Sequence, residues 1–83
     1  MESTEIISIL NKTQIKKLYW LNIKKDYLLF IIKNNKVVYF SQTNSIIDCF
    51  NPDFKIITKE IYSFIACLVN SGKAISIGDN KNG

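Results

Sequence analysis

The sequence predicts a small single α+β domain, ordered as helix, three-stranded antiparallel meander, helix and short C-terminal strand. The chain has 83 residues, enough for one modest core and no second domain. Its composition, 47% hydrophobic and 22% charged with one Pro and three Gly, belongs to a globular chain rather than a disordered or fibrous one. Its texture changes from helical spacing to aromatic and β-branched runs of strand length, and then to an apolar run of helix length. The domain is expected over residues 1–78, with 79–83 as a flexible polar tail.

The first helix is expected from residue 3 to about residue 14. Ile6, Ile7 and Leu10 line one side, Ile15 is a further candidate, Ser3 or Thr4 is the cap and Glu5 lies in the first turn. Three strand-like runs follow: Leu18 to Ile23, Tyr27 to Ile32, and Val37 to Phe40. Lys24-Lys25-Asp26 is read as the first turn. Asn34-Asn35 is read as the second, since Asn tolerates the positive φ of a two-residue hairpin loop.

Ser41 to Ser45 reads as a polar loop, Ser45 to Asp48 as a capped helical turn, and Asn51-Pro52-Asp53 as a turn with Pro at its second position. Thr58 caps a second helix running from Lys59 to about Asn70, with Ser71-Gly72 as its stop. That helix is apolar almost all round, so it belongs in the core or at an interface. Lys73 to Gly78 reads as a short strand carrying Ile75 and Ile77.

The meander is apolar on both faces, whereas an antiparallel sheet with one face in water alternates apolar with polar residues. A three-residue first turn and a two-residue second turn place Tyr19, Tyr27, Leu29, Ile31, Val38 and Phe40 on one face. A four-residue first turn would swap the faces of the first strand. Either the two helices cover opposite faces, or one face meets a partner, because large exposed apolar patches mark such sites. The six residues just named are the candidate partner-binding surface, and the partner is a protein or a second copy of the chain.

The same register sets Lys17, Lys33 and Lys36 in a row at one end of the sheet. As a basic rim beside Tyr19, Tyr27 and Phe40, this row combines charge and stacking surface suited to single-stranded nucleic acid. The bland reading is a solvated sheet end that discourages edge pairing.

Other chemistry is sparse. There is no His, which removes Ser-His-Asp and Cys-His catalysis. Cys49 and Cys67 have no His or further Cys to complete a zinc site, and both lie in apolar sequence, so they read as inert core thiols. The carboxylates are scattered and no glycine-rich phosphate loop is present. No catalytic residue, metal ligand or cofactor is expected. All 11 basic residues are Lys, against 7 acidic residues, for a net charge of +4. Without Arg, bidentate reading of guanine is disfavoured. The abundance of Ile, Lys and Asn points to an AT-rich genome.

The longest nearly unbroken apolar run, Ile61 to Val69, is shorter than the about 20 residues of a bilayer span, so no membrane crossing is expected. The acidic start, Met1-Glu2-Ser3-Thr4-Glu5, is unlike a secretory signal, and a cytoplasmic location is expected, a host cytoplasm if the protein is viral.

Residues Glu5 to Leu10, Lys17 to Leu21 and Leu28 to Tyr39 resemble the helix-plus-meander opening of PATAN-type bacterial signalling domains, over less than half the chain. The sequence lacks the glycine those domains carry before the first strand. It also has Asn35 where their second turn has Gly, and Phe40 where they have a small residue. The chain is not identified as a member, and the resemblance implies an adaptor that works by protein interaction. The function expected is a non-catalytic protein-binding module, of phage, mobile-element or viral origin, that occupies and inhibits a host macromolecule such as a defence system. The alternatives are a single-strand nucleic-acid binder and a bacterial signalling adaptor.

Overall fold

Two helices pack on opposite faces of a five-stranded antiparallel sheet in a small α+β domain. The computed structural model describes residues 3–80. The elements run α1 (Ser3–Lys12), β1 (Lys17–Leu21), β2 (Asp26–Lys33), β3 (Lys36–Thr43), a 3₁₀ turn (Ile47–Phe50), β4 (Lys55–Ile56), α2 (Lys59–Asn70) and β5 (Ala74–Asp79). The sheet order is β4-β3-β2-β1-β5. The predicted meander forms its centre. The late strand joins it beside β1, and β4, unexpected from the sequence, pairs outside β3.

α1 packs Ile6, Ile9 and Leu10 onto the sheet, the spacing of one helical side. Ile9 is fully buried and Ile7 is exposed, so the inward face lies one position round from the expected set of Ile6, Ile7 and Leu10. Thr4 lies inside the helix and is not its cap. At the other end the Thr13 hydroxyl donates to the Ile9 carbonyl (2.8 Å) and accepts from the Ile15 amide (3.2 Å), turning the chain into β1.

The hairpin between β2 and β3 has Asn34 and Asn35 both at positive φ, 54° and 63°, the two-residue loop expected of Asn-Asn. The first hairpin differs. Leu21 pairs with Asp26, so its turn holds four residues, 22–25, closed by the Lys25 amide donating to the Leu21 carbonyl (2.9 Å) with Lys25 at φ 58°. The four-residue turn swaps the faces of β1 relative to the three-residue register. A second shift occurs in β3, where an extra residue, Val38, bulges between the Ile31–Tyr39 and Ile32–Val37 pairs. Beyond the bulge Phe40 stands opposite Phe30 and Ser41 opposite Leu29. Ser41 is buried and β3 continues to Thr43, so the polar loop expected from Ser41 begins later. Strand pairing across β2, helped by Gln42 Nε2 donating to Asp26 Oδ2 (2.8 Å), overrides the polar composition.

The α1 face holds the tighter core: Ile9, Ile15, Leu18, Leu29 and Cys49 are all fully buried there. Ser45 Oγ accepts from the Ile47 amide (3.3 Å) and starts the 3₁₀ turn that brings Cys49 inward. The α2 face gathers Leu21, Leu28, Phe30, Leu68 and Ala74.

α2 has the expected ends. Thr58 Oγ1 accepts from the Ile61 amide (3.2 Å) as N-cap. Gly72, at φ 75°, closes the helix with its amide on the Val69 carbonyl (3.1 Å) and the Lys73 amide on Leu68 (2.9 Å), the Schellman arrangement.

β5 extends to Asp79. Asn80 is also tied down, its amide donating to the Lys16 carbonyl (2.8 Å) and its Nδ2 to the Leu10 carbonyl (2.6 Å). Regular structure therefore includes residue 79, where the tail was expected to start. The remainder of that tail, 81–83, and the acidic Met1-Glu2 lie outside the described residues. Among the described residues no helix is long and apolar enough to cross a membrane.

Candidate functional site

The two registers decide where the candidate residues go. Pairs directly opposite in an antiparallel ladder share a face. Lys17, Tyr19 and Leu21 therefore face α2 with Phe30, Leu28 and Phe40, while Leu18, Trp20, Tyr27, Leu29 and Ile31 face α1. The six candidate partner residues do not form one surface. Tyr19 and Phe40 lie partly buried on the α2 face, Tyr27, Leu29 and Ile31 are buried on the α1 face, and Val38 sits in the bulge. Trp20 packs edge-on against Tyr27 (centroids 4.9 Å) within the α1 core.

The three lysines do not form a row either. Lys17 stands opposite Phe30 rather than Lys33. Lys33 and Lys36 pair beside the Asn34-Asn35 turn, and the Lys33 ammonium lies 5.7 Å from the centre of the Tyr39 ring. The cause is the four-residue turn, which slides β1 along β2.

The structure instead brings together a different set. Along β1, Lys17 and Tyr19 alternate onto the α2 face, and across the ladder they meet Phe30 and Ile32 of β2. On α2, Tyr62, Ile65, Ala66 and Val69 recur at helical spacing along the side turned toward the sheet. Between these rows, with Val37 and Ile57 at one end, runs an apolar groove of about 280 Å³. Tyr19 and Phe30 meet edge to face inside it (centroids 5.7 Å, 77°).

Two further hollows adjoin the groove and share Ile32 and Asn35 with each other. Past Ile32, Val37, Ile57 and Tyr62 the groove reaches Lys36, Thr58 and Lys59. Past Lys17 and Ile32 it reaches Lys16, Asn35, Asp79 and Asn80. Its mouth is cationic. Lys17 Nζ lies 5.4 Å from the Tyr19 ring centre. A side-chain hydrogen bond with Tyr19 pushes the Lys17 ammonium above its ordinary value; burial pulls the other way, and the charge of Asp79, opposite it on β5, adds to the rise. Lys17 therefore stays charged throughout the physiological range.

α2 leaves apolar side chains exposed: Tyr62, at the edge of the groove, is 55% and Phe64, outside it, 59% accessible. Cys67 is exposed as well, which corrects the expectation that both thiols are core. Cys49 is the buried one, and burial, with the charge of Asp48, pushes its thiol up to about 11. Among the described residues no three of His, Cys, Asp and Glu lie close enough together to hold a metal ion.

The groove residues on α2 and Ile57 escaped the sequence reading because they come from elements distant in the chain. The available signal was the helix itself, too apolar to stand in water on most of its sides. No protein-family model, curated protein or solved structure matches the chain.

Proposed function

We propose that the chain is a non-catalytic protein-binding module whose contact surface is the α2 side of the sheet. The observation that carries this reading is the apolar groove beneath α2, with the exposed Tyr62 in its lining, on a helix that also leaves Phe64 exposed outside the groove. Exposed aromatic residues around a concave apolar seat are what interface anchors and their pockets are made of. The packing asymmetry points the same way. All the largest fully buried side chains, Ile9, Ile15, Leu18, Leu29 and Cys49, lie on the α1 face, although each face also has partly buried apolar residues at its margin. The absence of His and the scattered carboxylates offer no acid–base pair to the same surface.

The finer reading is a phage, mobile-element or viral protein that inhibits a host macromolecule. It rests on small size and AT-rich composition, and its net charge of +4 places it apart from acidic inhibitors that imitate DNA.

The test is capture on the tagged protein from a lysate of an AT-rich bacterial host, with and without nuclease, using wild type and the double variant Tyr62→Ser/Phe64→Ser. One dominant protein recovered in both arms by wild type, and lost by a folded double variant, supports the module. Material that disappears with nuclease replaces it with nucleic-acid binding. A dimeric chain that captures nothing replaces it with self-association.

A further inference from the structure

Resting on the protein-binding reading, we infer that the groove beneath α2 takes an acidic amphipathic segment of the partner: one large apolar side chain seated between Tyr19, Phe30 and Ala66, with carboxylates next to it toward the Asn34-Asn35 turn. Shape and charge select this occupant together. The central groove, about 280 Å³, falls just below the roughly 300–1,000 Å³ of small-molecule sites, and fits a single anchor residue. It does not end there, because two adjoining hollows share Ile32 with it, and Asn35 with each other, and prolong it toward the Asn34-Asn35 turn. A long shallow trough with one deeper seat suits a peptide chain rather than a compact ligand.

The charge is one-sided. Lys16, Lys17, Lys36 and Lys59 line the trough, and Asp79 is the one acidic residue among the described residues that do. Asp79 stands opposite Lys17 and already interacts with it. These lysines border an apolar floor at its end toward the Asn34-Asn35 turn, so an arriving segment meets cations next to its anchor. Carboxylates flanking that anchor would gain from this field, and basic flanks would be repelled. A bare single strand of nucleic acid would also meet positive charge, but the expected stacking residues Tyr27 and Phe40 lie on opposite sides of the sheet.

The experiment is selection of displayed short random peptides on the immobilised protein, followed by anisotropy titration of the enriched peptides at low and high salt. The variants are Ala66→Phe, which fills the groove, and Lys17→Gln/Lys36→Gln/Lys59→Gln, each checked for folding by circular dichroism. The expected enrichment is an aromatic or large aliphatic residue flanked by Asp or Glu. Ala66→Phe should weaken binding about tenfold or more, and the triple variant should weaken it at low salt and flatten the salt dependence. Should Ala66→Phe not fold, the triple variant alone decides.

Enriched peptides without acidic flanks would overturn the inference, as would peptides bound equally by both variants. An absence of any enrichment would do so too, and so would tighter binding of oligothymidylate or of decanoate. In each of those cases the module itself is judged separately by the lysate capture. A partner protein retained there by Ala66→Phe leaves the module standing and removes the groove.

Discussion

Lys17 stands opposite Phe30 across β1 and β2, and both line the groove beneath α2. The pairing sets the character of the site. The lysine stem lies along apolar surface while its head remains at the edge, so a cationic rim and an aromatic floor occur at one point of the sheet. The four-residue turn between Leu21 and Asp26 produces this pairing; a slip of one residue would send Lys17 and Tyr19 to the α1 face.

Leu29→Ala and Phe64→Ser should separate core from surface. Leu29 is fully buried beneath α1, and its truncation should cost about 2–5 kcal/mol in urea unfolding. Phe64 is exposed, and its replacement should stay within about 0.5 kcal/mol. Equal losses would show that the outer side of α2 is packed.

Gly78→Ala should be destabilising by about 1–3 kcal/mol. An added Cβ would lie 2.6 Å from Ile6 Cγ2 and 2.9 Å from Leu10 Cδ1. β5 approaches α1 so closely that no side chain fits between them. A thermal midpoint equal to that of wild type would show that this approach is looser.

The two thiols should differ sharply. In the native protein Cys67, exposed on α2, should react with a disulfide reagent, whereas buried Cys49, with its thiol pushed up to about 11, should react only after unfolding. The check is the number of thiols titrated before and after adding denaturant, with Cys67→Ser as the control. Rapid native reaction of the Cys67→Ser variant would contradict the burial of Cys49.

Stability should fall with alkaline pH. The Cys49 thiol rises from 9.0 to about 11 on folding, so between those values the unfolded chain releases a proton that the folded one keeps. The folded state then binds more protons, and stability declines as pH increases. Tyr27, raised chiefly by burial, acts in the same direction. Urea midpoints should drop through this window, and Cys49→Ala should flatten the drop. A midpoint that rises would contradict the assignment.

Local chemistry made part of this structure readable. Thr58, Gly72 and the Asn34-Asn35 turn each satisfy a backbone requirement through their own residue type, and the meander followed from its β-branched and aromatic runs. The first turn was harder, because Ile23 resumes apolar character after Asn22 and hides a strand that stops at Leu21. The bulge at Val38 carries no glycine to mark it, and Ser41 is strand by virtue of its partner Leu29. Both shifts relocate candidate site residues. Tyr27, Leu29 and Ile31 went to the core under α1, and Tyr19 joined residues of α2 that no sequence neighbourhood links to it. What remained legible of the site was its apolar helix and its lysines, but not their meeting.

The most direct measurement is an amide chemical-shift map of the isotope-labelled protein on addition of the partner recovered by capture. The expected perturbations concentrate on Val37, Ile57 and the Tyr62 to Val69 segment, with Lys17 and Tyr19 of β1. Perturbations confined to α1, the 3₁₀ turn and the outer edge of β5, with α2 unmoved, would contradict a contact surface on the α2 side of the sheet.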